Sequence, residues 1–210
     1  MANTLTGGYG LPRIGLTGSD VTSTGTTKYE IASDYTTAIY NGGIVIPLAG
    51  GTIAISDQAV APLGVLAGVE YVDSTTKETT FFYYLPGSNS VSVETNFPVK
   101  AFVFDNPMQL YTVVADGTNT DRATALADTF ANCDMASVNN GSTNTGKSSD
   151  MLDISTAATT ANLDVRIVGL YDDPANDDYS AVGHQYIVRL NAHFNSGFAA
   201  AVGTAANTGI

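Results

Sequence analysis

The run from Gly141 to Ser148 places Gly141, Gly146, Lys147 and Ser148 at the spacing of a phosphate-binding loop, letter for letter. Such a loop works when an apolar strand enters it and a helix leaves it, so that backbone N–H groups and the helix N-terminus cradle phosphate oxygens. Here Met135 to Asn140 does not read as a buried strand, and the exit carries the carboxylates of Asp150 and Asp153. The run is therefore expected to be a polar structural loop. His184 and His193, the two histidines, lack any HExxH or paired-cysteine context and are expected to be packed side chains rather than metal ligands. Asp172, Asp173, Asp177 and Asp178 offer hard oxygen donors of the kind Ca²⁺ takes, without the ligand order or closing Glu of an EF-hand. A solvated turn and a calcium site both stay open there. Cys133 is the single cysteine, which excludes an internal disulfide, and no basic residue near it in sequence would activate a thiolate. There is no Gly-x-Ser-x-Gly elbow and no Trp platform of the sort glycan-cleaving sites use. No catalytic residue, metal ligand or cofactor is assigned.

Composition narrows the class of protein that must position these residues. The chain has 210 residues with 44% apolar, enough for a sizeable core, but only 13% charged, about half the usual share. Thr, Ser, Asn and Gly must then supply most of the polar surface. The formal charge is −12, and the eight basic residues are scattered, so a phosphate backbone is repelled rather than gripped and nucleic acid is not an expected partner. The longest apolar stretch, Gly43 to Ile55, is broken by Pro47, Gly50 and Gly51 and is too short to span a bilayer, so no membrane is expected either. Met1 to Gly10 has neither the basic nor the apolar region of a secretion signal, which fits synthesis in a cytoplasm.

Short β-branched and aromatic runs punctuated by Gly, Pro and Asn predict a mainly β fold, a barrel or sandwich of short antiparallel strands. Residues 44–46 and 52–55 flank a Gly-Gly turn; residues 64–72 and 80–84 form a hairpin around Asp73 to Lys77. Residues 97–104 and 109–115 read as a second pair joined by Asp105, Asn106 and Pro107, and residues 163–171 and 186–191 as two late strands. One helix is predicted over about 121–134, capped by Thr120 or Asp121, with Ala123, Leu126, Ala127, Phe130 and Ala131 at helical spacing. Residues 1–28 read as an extended Gly/Thr-rich arm, 29–195 as the β-rich domain, and 196–210 as an Ala/Gly-rich tail. No internal repeat is visible.

Three stretches, taken in order, carry a resemblance. The first holds Gly64, Gly68, Tyr71 and Asp73, followed by Leu85, Pro86 and Gly87; the second holds Ala101, Val103, Asp105 and Pro107, then Leu110, Val113, Asp116 and Gly117. The third runs from Gly146 to Asp153 through Thr159, Thr160 and Ala161 to Val165 and Gly169, then Pro174 to Asn176 and Asn191 to His193. Together they resemble the head decoration, or cement, proteins of tailed bacteriophages, over roughly residues 60–195. The resemblance implies a capsid-stabilising virion protein on the outer surface of the head, bound to the major capsid protein and arranged as a homotrimer that matches local threefold axes. Candidate contact residues are Leu5, Tyr9, Leu11 and Ile14 in the arm, Phe81, Phe82, Tyr83 and Tyr84 in an aromatic rib, and Phe194 and Phe198 near the tail. For the rib, a place in the domain core is the competing expectation. The alternatives are a phage tail or fibre component that binds a receptor or carbohydrate and, from another class, a glycan-acting enzyme.

Overall fold

A computed structural model describes residues 3–5, 7–19, 21–87, 91–137, 140–160, 163–175 and 177–196. Its strands are β1 (Arg13–Leu16), β2 (Thr27–Ile31), β3 (Ile44–Pro47), β4 (Thr52–Ile55), β5 (Gly64–Val72), β6 (Thr79–Phe82), β7 (Val99–Phe104) and β8 (Gln109–Val114). The short helix α1 (Arg122–Ala127) follows, then β9 (Asn132–Met135), β10 (Leu152–Ala158), β11 (Val165–Leu170) and β12 (Gln185–Leu190). The fold is mainly β, as the strand-forming texture predicts, and its strands make two sheets packed on each other.

Each sheet closes on itself. In the first, β2 pairs with β7, β7 with β5, β5 with β3, β3 with β4, and β4 returns to β2 as a parallel neighbour. In the second, β8 pairs with β12, β12 with β11, β11 with β9, β9 with β10, and Leu152 of β10 returns to Ala115, just beyond β8, as a parallel bridge. The two circuits have the same order. In both, the first strand meets the last antiparallel and the third in parallel. The molecule is therefore two topologically equivalent five-stranded barrels, each with one added strand: β6 on the open side of β5, and β1 on the open side of β8. Closure satisfies backbone groups that an open edge would leave free.

Local sequence explains the corners. Gly50 and Gly51, between β3 and β4, take φ of +99° and +81°, conformations that side-chain-bearing residues rarely adopt. The β5–β6 turn is held by Asp73, whose Oδ1 accepts the N–H groups of Thr75 and Thr76 at 2.7 and 3.0 Å. Ile31, Val45, Ile53, Leu66, Val69, Val99, Ala101 and Val103 fill the first barrel. Tyr111, Val113, Cys133, Leu152, Val165, Ile167, Tyr186 and Val188 fill the second, and Ile44 and Val65 from the first barrel join that cluster, making one apolar seam between the two.

Three expectations are corrected. Residues 97–104 and 109–115 do not pair: β7 and β8 lie in different sheets, because the turn at Asp105 to Pro107, closed by Gln109 N–H on Asn106 O at 3.0 Å, carries the chain from one barrel to the other. The helix predicted over 121–134 has only six residues. Asp121 caps it, accepting Thr124 N–H at 2.8 Å, but Phe130 adopts φ +75° and residues 132–135 become β9, which the second barrel needs for closure. Finally, the arm is part of the domain. Leu11 is 1% exposed in the second barrel's core, β1 pairs with β8, and Thr27 and Lys28 already belong to β2.

Candidate functional site

A wide groove lies on the outer face of the first barrel, and the strand register builds much of it. Lys28 of β2 stands opposite Phe102 of β7, which stands opposite Gly68 of β5; one step along, Glu30, Lys100, Glu70 and Phe81 form a second row. Residues two apart along a strand share a face, so Phe102, Lys100, Glu70, Gly68 and Phe81 all point outward. Phe81 is 67% exposed and lies 6.1 Å from the Phe102 ring. Lys28 Nζ sits 4.8 Å from the Phe102 centroid and bonds Glu70 at 2.6 Å, while the Arg13 guanidinium lies 4.4 Å over Phe104. Gly68 leaves the floor without a side chain. The resulting groove, about 810 Å³, is lined by aromatic rings with two cations at its rim, within the size range of specific pockets.

The aromatic rib divides between environments. Phe81 faces the groove and Tyr83 is exposed, whereas Phe82 tilts against Tyr71 at 5.7 Å. Tyr84 stacks on Tyr40 at 5.3 Å and 9° between planes. In the N-terminal segment, Leu11 is core, Tyr9 and Ile14 are half-buried, and Leu5 is exposed. Tyr9 Oη donates to Gln185 Oε1 inside the same chain. Phe194 is half-buried against the first barrel's core, and Phe198 lies outside the described residues.

The phosphate-loop look-alike has a different task. Gly141 and Ser148 bridge each other, Gly146 N–H donates to Ser142 O at 2.7 Å, and Asn41 pairs with the loop through Gly146 O and Ser148 N–H. The Tyr40–Tyr84 stack covers it: a Cβ on Gly141 would enter the Tyr40 ring, and one on Gly146, which has φ +69°, would come within 2.7 Å of Tyr84. The two glycines of the motif are thus required by aromatic packing. Among the described residues no strand runs into the loop and no helix leaves it. Gly141→Ala is expected to cost about 1–3 kcal/mol through overpacking, while Lys147→Ala, on an exposed side chain, changes stability by less than about 0.5 kcal/mol; urea denaturation of both variants measures the contrast.

The acidic turn is occupied by its own hydrogen bonds. Both carboxylate oxygens of Asp172 accept from Arg122 Nη2, at 3.1 and 3.2 Å, Asp173 accepts Ala175 N–H at 2.9 Å, and Asp178 accepts the Ser180 hydroxyl at 2.6 Å. Among the described residues no group of three or more His, Cys, Asp or Glu is placed to hold a metal ion. His184 packs between Tyr179 and Tyr186, and burial holds its pKa below the ordinary value. Cys133 is buried and its thiol is pushed up to about 12 by desolvation, which keeps it protonated.

One residue escaped the sequence reading. Phe130, assigned by helical spacing to a buried face, is 78% exposed in a left-handed conformation that costs a phenylalanine about 1 kcal/mol or more. Its N–H donates to Ile167 O at 2.9 Å and Ile167 N–H to Ala131 O at 2.9 Å, so the turn that presents it is pinned to β11. Leu126, 47% exposed, lies in α1 four residues earlier in the chain. Arg13, Lys28, Phe102 and Phe104 were likewise absent from the candidate set, although the alternation of Lys100, Phe102 and Phe104 along β7 was a visible signal.

Compared with protein-family models, curated proteins and solved structures, the chain finds no match.

Proposed function

We propose that this chain is a virion structural protein, a decoration or cement protein that binds the outer surface of a major capsid protein lattice as a homotrimer and stabilises the head without catalysing a reaction. The observation that carries the reading is the set of large apolar side chains that the fold leaves exposed. Phe81 (67%), Tyr83 (53%), Phe97 (56%) and Phe130 (78%) remain outside although both barrels are already filled. Rigid exposed aromatics are what protein interfaces use as anchors, because they lose little side-chain entropy on contact. Their distribution over both barrels fits a protein that must touch more than one neighbour, and repetition over a lattice multiplies weak contacts. The positions behind the resemblance to phage decoration proteins support the same reading as shape-determining ones. Gly87 has φ +98° against Thr36 O, Leu85 bridges Ile39, and Gly146 seats under Tyr84.

The test is to add the purified full chain to mature heads that lack it. Saturable binding, with the heads releasing their contents at a higher temperature than undecorated ones, is the expected result. Absence of binding to heads, together with binding to purified tails or to host-surface glycans, would replace the reading with the tail or fibre alternative.

A further inference from the structure

The chain contains two Asn-Gly dipeptides, Asn41-Gly42 and Asn140-Gly141, and the fold sets both against Ser148. Asn41 N–H donates to Gly146 O and Ser148 N–H to Asn41 O, at 2.9 and 2.8 Å, while Gly141 bridges Ser148. Their surroundings differ. Gly42 is buried with its N–H on Leu66 O at 2.9 Å, and the Asn41 side-chain amide donates to Ala67 O at 2.6 Å. Asn140 is exposed, and among the described residues nothing hydrogen-bonds its side-chain amide. The Gly141 N–H is equally unengaged among them. The bonds beside the Gly141–Ser148 bridge run from Ser142 N–H to Lys147 O and from Ser149 N–H to Asn140 O, at 3.0 and 2.9 Å. In that antiparallel pattern the two facing residues exchange no hydrogen bond.

We propose that Asn140 is a site of spontaneous modification, converting to an aspartyl or isoaspartyl residue, and that the fold selects it over Asn41. The Gly141 nitrogen attacks Asn140 Cγ and closes a succinimide ring; the side-chain nitrogen takes up the Gly141 proton and leaves as ammonia. Water then opens the ring. Breaking the new bond between Cγ and nitrogen leaves an aspartyl residue. Breaking the original peptide bond leaves an isoaspartyl residue, with the chain running through Cβ. A glycine after the asparagine permits the attack because it has no Cβ to hinder it. Here that glycine is fixed by packing, since the Tyr40 ring occupies the place of a Cβ on Gly141. At Asn41 the same attack must first break the bonds to Leu66 and Ala67. Both products add a negative charge near Asp150, whose Oδ1 accepts Asn140 N–H at 3.3 Å. Only the isoaspartyl product also lengthens the backbone, next to the carbonyl that takes Ser149 N–H, and so loosens the loop under Tyr40 and Tyr84. The inference concerns the chain alone and does not depend on the capsid reading.

The experiment holds the folded full chain in mildly alkaline buffer at physiological temperature and follows both dipeptides over days by peptide mass mapping. A guanidinium-unfolded sample runs alongside. In the folded chain Asn140 is expected to gain the mass of an amide-to-acid change, and isoaspartyl methyltransferase to label the same peptide. Asn41 is expected to convert about tenfold more slowly than Asn140 when folded, and equally fast when unfolded. Asn140→Gln, whose longer side chain must close a larger and slower-forming ring, is expected to lose the signal. An unchanged Asn140, or equal conversion of the two dipeptides in the folded chain, overturns the site. The loosening is read by comparing the isoaspartyl fraction, separated by chromatography, with the Asn140→Asp variant. Both carry the added charge, and only the first has the longer backbone, so it is expected to melt lower. Equal melting temperatures overturn that step.

Discussion

Leu11→Ala is expected to lower the stability of the protein by about 2–5 kcal/mol, whereas Phe81→Ala is expected to change it by less than about 0.5 kcal/mol. Both residues look like docking anchors in the sequence; the fold gives them opposite roles. Leu11 is 1% exposed, and its N–H donates to Gly42 O at 2.9 Å, which stitches the N-terminal segment to the first barrel while the side chain packs into the core of the second. On either side the segment is held firmly. Gly10 turns with φ +74° where a Cβ would meet Gly42 O at 2.7 Å, and Thr112 N–H donates to Pro12 O at 3.0 Å. The buried amide of Gln109 donates to Gly15 O at 2.7 Å and Thr22 O at 2.9 Å. Truncating Leu11 removes apolar contacts on the seam between the barrels and leaves a cavity that two closed sheets cannot collapse around. Urea denaturation gives the answer directly. A loss below about 1 kcal/mol would mean that the N-terminal segment is peripheral to the fold.

The same contrast shows what the sequence could and could not convey. Hairpins with local turn chemistry were legible: residues 44–55 with Gly50 and Gly51, residues 64–82 with Asp73, and the late pair β11 and β12 all lie where alternation and turn residues put them. Pairings between distant strands were not, since nothing in the residues around Asp105 tells a hairpin from a crossing between barrels. The duplication was hidden for a related reason. It resides in the order of pairing, which the two halves satisfy with different residues: β2 to β4 in the first barrel is matched by Ala115 to Leu152 in the second. The helix failed because apolar spacing at Leu126 and Phe130 imitates a buried face, while α1 buries only Ala125. Of the candidate surface, Phe81 and Tyr83 were legible as exposed aromatics in a strand. The groove around Phe81 was not, because Lys28, Gly68 and Phe102 come from three strands that meet only through register, and Arg13 reaches Phe104 from β1 of the other sheet.

Asp150→Asn is expected to stabilise the protein above pH 6 and to leave it unchanged below pH 4. The Asp150 carboxyl is 1% exposed beneath the Gly141–Ser148 loop, where it accepts Asn140 N–H at 3.3 Å, and burial raises its pKa from 3.8 to about 6. A raised carboxyl contributes stability that is fully present below the unfolded value of 3.8 and is lost as pH rises through about 6; the size of that loss is about 3 kcal/mol. His193 works in the opposite sense. It is 2% exposed, its Nδ1 accepts Asn195 N–H at 3.0 Å, and its buried Nε2 meets no partner among the described residues. Burial lowers its pKa from 6.5 to about 4, so its contribution is fully present above 6.5 and is lost as pH falls towards 4, again by about 3 kcal/mol. The two windows overlap, and in the wild type one gain offsets the other loss. Asp164, raised by burial, and His184, lowered by burial, oppose each other in the same way. Removing Asp150 alone exposes the histidine side: the variant should lose stability on acidification from pH 6.5 to 4 where the wild type stays nearly level. Asparagine keeps the acceptor for Asn140 N–H, so the loop beneath Tyr40 and Tyr84 is retained. Urea titrations of both proteins at intervals from pH 4 to pH 8 read the difference, in which all other groups cancel. A variant-minus-wild-type difference that does not change with pH would show that the Asp150 proton is not linked to folding.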